Sequence, residues 1–154
     1  MTGVQTCALP IYSVKNEDPE DTLTVPAEVV RFREITDVDA LAIAIGTAHG
    51  VYLKTPTLRI DRLDEITAVS DLPLVLHGGS GTPDAQMKEA IAHGITKINI
   101  FSDVVGAMNL GLKNKLNSME NPSTWPAFVF EEARERMKAA VREKIRVFGS
   151  AGRV

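Results

Sequence analysis

The sequence predicts a parallel α/β fold, and three observations indicate it. Short apolar runs alternate with stretches of helical periodicity from residue 26 onward, and each apolar run ends in a polar cluster. The resulting order, helix–strand–helix–strand–helix–strand–helix–helix, requires right-handed crossovers between parallel strands. An open doubly wound sheet and a segment of a (β/α)₈ barrel both fit this order. A whole barrel needs roughly 250 residues, whereas this chain has 154.

The first two helices and strands are predicted from periodicity and from punctuating residues. Pro26 suits the first turn of a helix, and three apolar side chains then fall on one side of it: Val29, Val30 and Phe32. DALAIAIG, residues 39–46, ends in glycine and predicts a buried strand. The next helix, residues 61–70, has three apolar residues at helical spacing: Leu63, Ile66 and Val69. LPLVLHGG, residues 72–79, predicts the second buried strand.

The third helix has marked ends. In TPDAQMKEAIAHG we expect Thr82 as the N-cap, Pro83 at the first helical position and Gly94 as the stop. His93, next to that stop, is expected to complement the helix dipole rather than to bind a ligand. TKINIF, residues 96–101, predicts the third strand.

Two helices close the pattern. Ser102 is expected to cap a helix, which breaks at residues 121–126. A long amphipathic helix follows over about residues 128–147. We expect the three strands to be apolar on both faces, so that both faces of the sheet need cover.

Composition excludes several classes of function. The net charge is −3 and no basic stripe is present, which argues against a nucleic-acid partner. The single cysteine, Cys7, excludes an internal disulfide and a multi-thiolate metal site. No apolar run approaches membrane-spanning length, and the first residues lack the features of a secretory signal. We therefore expect a cytoplasmic protein without a membrane partner.

Each predicted strand is followed by polar residues that could bind a ligand. The clusters are GTAHGVY (46–52), LHGGSG (76–81) and NIFSD (99–103). Because the carboxyl ends of parallel strands share one face, we expect the clusters to lie together. His49 and His77 hold matching positions, and two imidazoles on neighbouring strand ends suit a metal such as Zn²⁺. For either histidine alone, the alternative is an ordinary hydrogen-bonded residue at a turn.

The glycine-rich turn at residues 78–81 predicts an anion site. It precedes a helix, so its amides and the Ser80 hydroxyl could hold an anion at the positive helix end. Ser102 opens the next helix and offers a second such end, and Lys54 could add a charge-assisted contact. Routine N-capping is the alternative for each turn alone. Asn99, polar at a buried strand end, is expected to hydrogen-bond either a substrate or a neighbouring strand.

Taken together, these motifs resemble those of class II (zinc-dependent) ketose-bisphosphate aldolases, with a closer likeness to the tagatose- and fructose-bisphosphate branch. The shared motifs are AIGTAHGVY, LVLHGGSG, the KINI–S–D cluster and the ending KIRVFGSAGRV, and the likeness runs from about Ser13 to Val154. The family fold is a (β/α)₈ barrel. The resemblance implies that residues 26–154 are its C-terminal part, with the last three strands, and that residues 12–25 are a remnant of the preceding loop.

The resemblance also implies roles for individual residues. His49 and His77 match two of the three histidines that hold the catalytic zinc, and Asn99 matches the residue that contacts the enediolate. The positions that match phosphate-binding residues are Gly50, Lys54, Gly78, Gly79, Ser80, Asn99 and Ser102. The implied reaction is reversible aldol cleavage of a ketose 1,6-bisphosphate to dihydroxyacetone phosphate and glyceraldehyde 3-phosphate. Zn²⁺ is the implied Lewis acid, a monovalent cation is a second candidate ion, and the parent protein is expected to be a homo-oligomer.

Parts of the family site have no counterpart in this sequence. The third zinc histidine, the aspartate before it and the glutamate-bearing loop come from earlier strands of the family fold. We therefore expect the chain alone to bind zinc weakly and to turn over little or nothing. We also expect the edge of the Leu41–Ile45 strand and much apolar surface to be exposed, with self-association or poor solubility as the result.

Residues 1–11, MTGVQTCALPI, lie outside the resemblance. They match the translation of a common sequencing-adapter DNA string residue for residue, so we expect a non-native extension joined to a truncated gene. Two other interpretations stay open. One is a phosphate-binding or structural half-barrel that pairs with another chain, and the other is a phosphate-binding barrel enzyme without a metal.

Overall fold

Parallel strands and helices alternate in the computed structural model, which describes residues 6–8, 23–47, 55–121 and 123–153. The chain divides into two units, Met1–Ile100 and Phe101–Val154. The first unit holds β1 (Thr6–Ala8), α1 (Pro26–Ile35), β2 (Ala40–Ile43), α2 (Ile60–Thr67), β3 (Leu74–Leu76), α3 (Asp84–Ala92) and β4 (Ile95–Ile98). The second holds α4 (Ser102–Asn117) and α5 (Pro126–Val147). Among the described residues, no helix combines the length and the apolar character needed to cross a bilayer.

The strand order decides between the two predicted folds. The strands pair in parallel and in the order of the sequence, β1-β2-β3-β4. Right-handed crossovers between successive neighbours place the connecting helices on one face, whereas a doubly wound sheet reverses its strand order partway. The winding is therefore that of a (β/α)₈ barrel segment.

One hydrophobic core joins the helices to one face of the sheet. Its buried members come from α1, α2, α3 and the strands or the residues beside them: Val29, Leu41, Ile43, Ile45, Leu58, Leu63, Ile66, Leu74, Leu76, Ala90 and Ile95. The alternate strand positions carry smaller residues, which form a second buried cluster of Ala40, Ala42 and Val75. Because successive side chains of a strand point to opposite faces, the larger residues face the helices and the smaller ones face the other side.

The strand predictions hold for β2 and β3, where every residue is buried. β4 differs, because it covers Ile95–Ile98 rather than 96–101, and both Thr96 and Lys97 are exposed. The prediction of apolar residues on both faces was therefore wrong for this strand. A strand with polar, exposed residues at its centre does not need cover on both faces.

The predicted exposed edge of the Leu41–Ile45 strand was also wrong. β1 pairs with β2 in parallel, with Thr6 opposite Ala40 and Ala8 opposite Ala42. The backbone groups at that edge of β2 thus find partners in β1, as buried peptide groups require.

The helices α1 and α2 begin and bury residues largely as predicted. Pro26 is the first residue of α1, and Val29 is buried while Val30 is exposed. In α2, Leu63 and Ile66 are buried. Val69 is exposed because the helix ends at Thr67, before the periodicity reaches it.

Two predicted helix starts were each wrong by one residue. Pro83 is the N-cap of α3 and has an extended ψ of 138°, so the helix begins at Asp84 and Thr82 caps nothing. Phe101 is the N-cap of α4, and Ser102 is its first helical residue. The C-terminal end of α3 is as predicted, with Gly94 at a φ of +114° directly after the C-cap His93.

In the second unit, α4 and α5 pack as an antiparallel pair. Asp103 near the start of α4 lies 3.4 Å from Lys144 near the end of α5. At the other end, the Asn114 amide donates to Glu132 over 3.4 Å. Glu132 also accepts from Arg136, and this bond is the main cause that lowers the pKa of its carboxyl group.

The two helices approach each other closely at Gly111. A Cβ atom there would lie 2.6 Å from Ala133 Cα and 2.7 Å from Ala133 N, both of them backbone atoms. Backbone cannot move aside as a flexible side chain can, so this position requires glycine.

We expect Gly111→Ala to lower the free energy of unfolding by about 1–3 kcal/mol, because the added methyl group forces α4 and α5 apart. Urea denaturation followed by circular dichroism measures the change. Gly106→Ala is the matched control in the same helix, since no atom of the described residues outside the backbone of that helix lies within 4 Å of its Cβ position. It should be neutral or stabilising by up to about 1 kcal/mol. Equal effects of the two substitutions would contradict the close approach.

Candidate functional site

Backbone pairing continues past the ends of β3 and β4 and brings two predicted site segments together. The Asn99 amide donates to the Leu76 carbonyl over 3.0 Å, and the Gly79 amide donates to the Asn99 carbonyl over 3.2 Å. These two bonds extend the pairing of the strands beyond their last residues. They fix the segment at residues 77–79 beside Asn99.

Glycine is required in this turn for two different reasons. Gly78 and Gly81 have φ values of +67° and +77°, a region that other residues rarely adopt. At Gly79 the reason is space, because a Cβ atom would lie 2.6 Å from Ile98 Cγ2 and 3.2 Å from the Asn99 carbonyl oxygen. The sequence HGGSG is therefore needed for the turn to lie against the end of β4.

The side chains of His77 and Asn99 are in contact. The Asn99 Nδ2 atom lies 3.1 Å from His77 Nε2 and 3.4 Å from His77 Nδ1. A group that lay in the ring plane, on the lone-pair axis of one ring nitrogen, would be much farther from the other ring nitrogen. The Asn99 contact therefore does not occupy the in-plane position from which either nitrogen would bind a metal. The Asn99 side chain thus lies against the His77 ring at the neighbouring strand end.

Thr47 connects the residues that follow β2 to the residue that follows β3. The Thr47 hydroxyl is buried and donates to the His77 carbonyl over 2.6 Å. Gly46 has a φ of +107°, and a Cβ atom at this position would collide with the Thr57 carbonyl, so the chain turns here at a glycine. The residues just after β2 are thus joined to the residue that follows β3. The other predicted residues of this cluster, His49, Gly50 and Lys54, lie outside the described residues.

Two backbone hydrogen bonds hold the glycine-rich turn within the protein. The Gly79 amide bonds Asn99, and the Thr82 amide donates to the Gly79 carbonyl over 3.2 Å. Ser80 is buried in this turn, four residues before α3 begins. The N-terminus of α3 has no side-chain cap, although Asp84 places an acidic group in its first turn. Both amides hold the turn in shape, and the positive helix end follows it directly.

Metal ligands are incomplete in the part of the chain that the structure describes. No group of three or more His, Cys, Asp or Glu side chains in these residues could hold a metal ion. Of the two histidines predicted to bind a metal, His49 and His77, the structure describes His77. His93, the third histidine of the chain, is the C-cap of α3, and its Nδ1 lies 2.6 Å from Asp64 Oδ1.

The predicted site residues of the first unit that the structure describes lie together. They are the residues after β3 and β4: His77, Gly78, Gly79, Ser80 and Asn99. Ser102 belongs to the second unit. Sequence reasoning missed Thr47, although a buried hydroxyl at the end of an apolar strand signals that it needs a partner.

The chain is similar to known proteins in sequence and in structure. The family model described as "Fructose-bisphosphate aldolase class-II" matches residues 10–153. The YdjI aldolase from Escherichia coli K12 is 36% identical and superposes with a TM-score of 0.76, covering 86% of this chain and 48% of that one. The fructose-bisphosphate aldolase of Campylobacter jejuni, 22% identical with a TM-score of 0.69 over 94% of this chain and 51% of that one, shares the fold. The chain thus spans about half the length of these solved structures.

Thr82, directly after the glycine-rich turn, carries a buried hydroxyl with no hydrogen-bond partner among the described residues. We expect Thr82→Val to raise the free energy of unfolding by about 1 kcal/mol, because valine keeps the shape and removes an unpaired polar group. Thr47→Val is the control, since it deletes the bond to His77 and should lower stability by about 1 kcal/mol. Chemical denaturation measures both changes. A loss of stability in both variants would be contrary to this expectation.

Proposed function

Since the chain belongs to the class II fructose-bisphosphate aldolase family, we propose that it carries part of a site for aldol cleavage and condensation of a ketose 1,6-bisphosphate, fructose or tagatose. The main support for this proposal is the meeting of three predicted site segments. His77, the glycine-rich turn and Asn99 meet at the carboxyl ends of adjacent parallel strands, which is where α/β barrels bind their substrates. The products would be dihydroxyacetone phosphate and glyceraldehyde 3-phosphate.

The glycine-rich turn is proposed to bind the phosphate of dihydroxyacetone phosphate. Ser80 lies in a turn whose shape is held by two internal bonds, so its position does not depend on the ligand. The turn also leads directly into the N-terminus of α3, which attracts anions. Gly50, Lys54 and Ser102 are proposed to complete the phosphate site.

His49 and His77 are proposed to hold Zn²⁺, which when bound polarises the ketone carbonyl as a Lewis acid. Imidazole nitrogens suit this metal, and the Asn99 amide leaves the in-plane approach to His77 clear of itself. A catalytic zinc site has three protein ligands, and this pair supplies fewer. We therefore propose weak zinc binding and little or no turnover by the chain alone.

Asn99 is proposed to contact the substrate beside the metal ligand. Its backbone is fixed by bonds to both Leu76 and Gly79, so the side chain starts from a defined position. Its amide group can donate to a substrate oxygen while it remains next to the His77 ring. A hydrogen bond from a group held in place in this way costs little reorganisation.

A second candidate function is a phosphate-binding half-barrel that pairs with another chain. The sequential order of its parallel strands favours it, because such a sheet can continue into a barrel at its outer strands. In this case phosphate would bind at the glycine-rich turn, and the metal would have no role.

Zinc titration tests the metal assignment. We expect His49→Ala and His77→Ala each to weaken Zn²⁺ binding at least about tenfold, as loss of a ligand should exceed the loss of an outer-shell partner. His93→Ala is the control, because that imidazole is paired with Asp64. Competition with a chromophoric chelator gives the affinities. Unchanged affinity in both of the first two variants would remove zinc from the proposal and leave a phosphate-binding protein.

Calorimetric titration with dihydroxyacetone phosphate tests the phosphate site. Ser80→Ala should weaken binding about tenfold or more, since a hydrogen bond to a charged group contributes about 1.5–3 kcal/mol. Ser118→Ala is the matched control, because that hydroxyl donates to the Lys115 carbonyl at the end of α4. If Ser80→Ala and Ser118→Ala bind the compound equally well, the turn is not the phosphate site.

A further inference from the structure

The Gln86 side chain ties the residues that precede α2 to the first turn of α3. Gln86 is the third residue of α3 and is half-buried. Its Oε1 atom accepts from the Leu58 amide over 2.7 Å, and its Nε2 atom donates to the Pro56 carbonyl over 3.2 Å. The oxygen and the nitrogen of one carboxamide are therefore both bonded to the same short stretch of backbone.

These two bonds explain why a glutamine stands at this position. One partner is a donor and the other is an acceptor, so the partners determine which way the carboxamide is oriented. A carboxylate could accept from the Leu58 amide but could not donate to the Pro56 carbonyl, and an apolar side chain could do neither. Pro56 and Leu58 are both buried, where an unpaired backbone group is costly. The contact thus requires a carboxamide.

Other contacts already hold the start of α2 in place. The Arg59 amide donates to the Ile45 carbonyl over 2.9 Å, and the Leu58 side chain belongs to the hydrophobic core. The bonds from Gln86 act just before this point in the chain, at the backbone of Pro56 and Leu58. Their loss should therefore release the backbone at Pro56 while α2 stays attached to the residues after β2.

The chain is tethered on both sides of residues 48–55 to elements that carry the proposed site. On the first side, the Thr47 hydroxyl donates to the carbonyl of His77, directly after β3. On the second side, Pro56 bonds Gln86 in the helix that follows the glycine-rich turn. The two tethers start from different strands and helices, and both lead to the carboxyl end of the sheet, where the site is proposed.

We propose that Gln86 is a positioning residue for binding of the substrate phosphate. Lys54 precedes Pro56 by two residues in the sequence, so the bond from Pro56 to Gln86 limits how far Lys54 can lie from α3. Ser80 precedes the same helix. A cation and a hydroxyl that are held near each other in advance bind an anion at a smaller entropic cost. This inference rests on the proposed function, in which Lys54 and Ser80 both contact the phosphate.

A double-mutant cycle, measured by calorimetric titration of the full chain with dihydroxyacetone phosphate, tests this role. Gln86→Met keeps the length of the side chain and removes both bonds, and it should weaken binding about threefold or more. In a Lys54→Ala background the same substitution should have no further effect, because the residue that Gln86 positions has lost its ammonium group. Unchanged affinity in Gln86→Met, or equal losses in the two backgrounds, would overturn the proposal.

Thr96→Val is the matched control. The Thr96 hydroxyl donates to the Leu74 carbonyl over 3.0 Å at the start of β3, away from the proposed site. This variant therefore also loses a bond from a side chain to the backbone of the first unit. Its affinity for dihydroxyacetone phosphate should equal that of the unaltered chain, and a loss as large as that of Gln86→Met would contradict a specific role for Gln86.

Amide hydrogen exchange tests the tether without a ligand. In Gln86→Met the Leu58 amide should exchange at least about tenfold faster than in the unaltered chain, whereas the Arg59 amide should stay as protected as in Thr96→Val. A chain that binds dihydroxyacetone phosphate but shows no faster exchange at Leu58 would overturn the tether alone. A chain that shows this exchange pattern but does not bind the compound would overturn the proposed function and the phosphate role of Gln86, and the tether would stand.

Discussion

The close contact between the glycine-rich turn and the end of β4 is the constraint on which the site depends. At Gly79 the missing side chain lets the turn reach Asn99, and the two backbone bonds that result fix Asn99 beside His77. A methyl group at this position would collide with Ile98 and with the Asn99 carbonyl. The strand pairing, the turn and the side-chain contact therefore depend on one another. Conformational freedom matters at Gly78 and Gly81, whereas space matters at Gly79.

Much of the fold could be predicted because its signals are local. The buried strands β2 and β3 are short apolar runs, α1 begins at a proline, and α3 has a proline before it and a glycine after it. The helix starts at Thr82 and Ser102 were misplaced since several nearby residues could each serve as a cap. β1 could not be predicted from its three residues, because its pairing depends on the distant edge that β2 offers.

The candidate site was predictable for a related reason. Each buried strand is followed by polar residues, and parallel strands bring such residues to one edge. This reasoning finds His77, Ser80 and Asn99. It does not find the bond from Thr47 to the His77 carbonyl, because the position of a hydroxyl at a strand end indicates that it needs a partner but does not say which one. Nor does it reveal that the Gly79 amide is used internally.

The sequential strand order also determines how the first unit can assemble. Leu76 pairs with Ile98, 22 positions later, while Ala42 pairs with Val75, 33 positions later. The difference in loop-closure free energy between the two pairings is about 0.4 kcal/mol, which is less than thermal energy. Neither pairing has a clear kinetic advantage from chain entropy alone. Chain entropy alone therefore does not decide which strand–helix–strand repeat forms first.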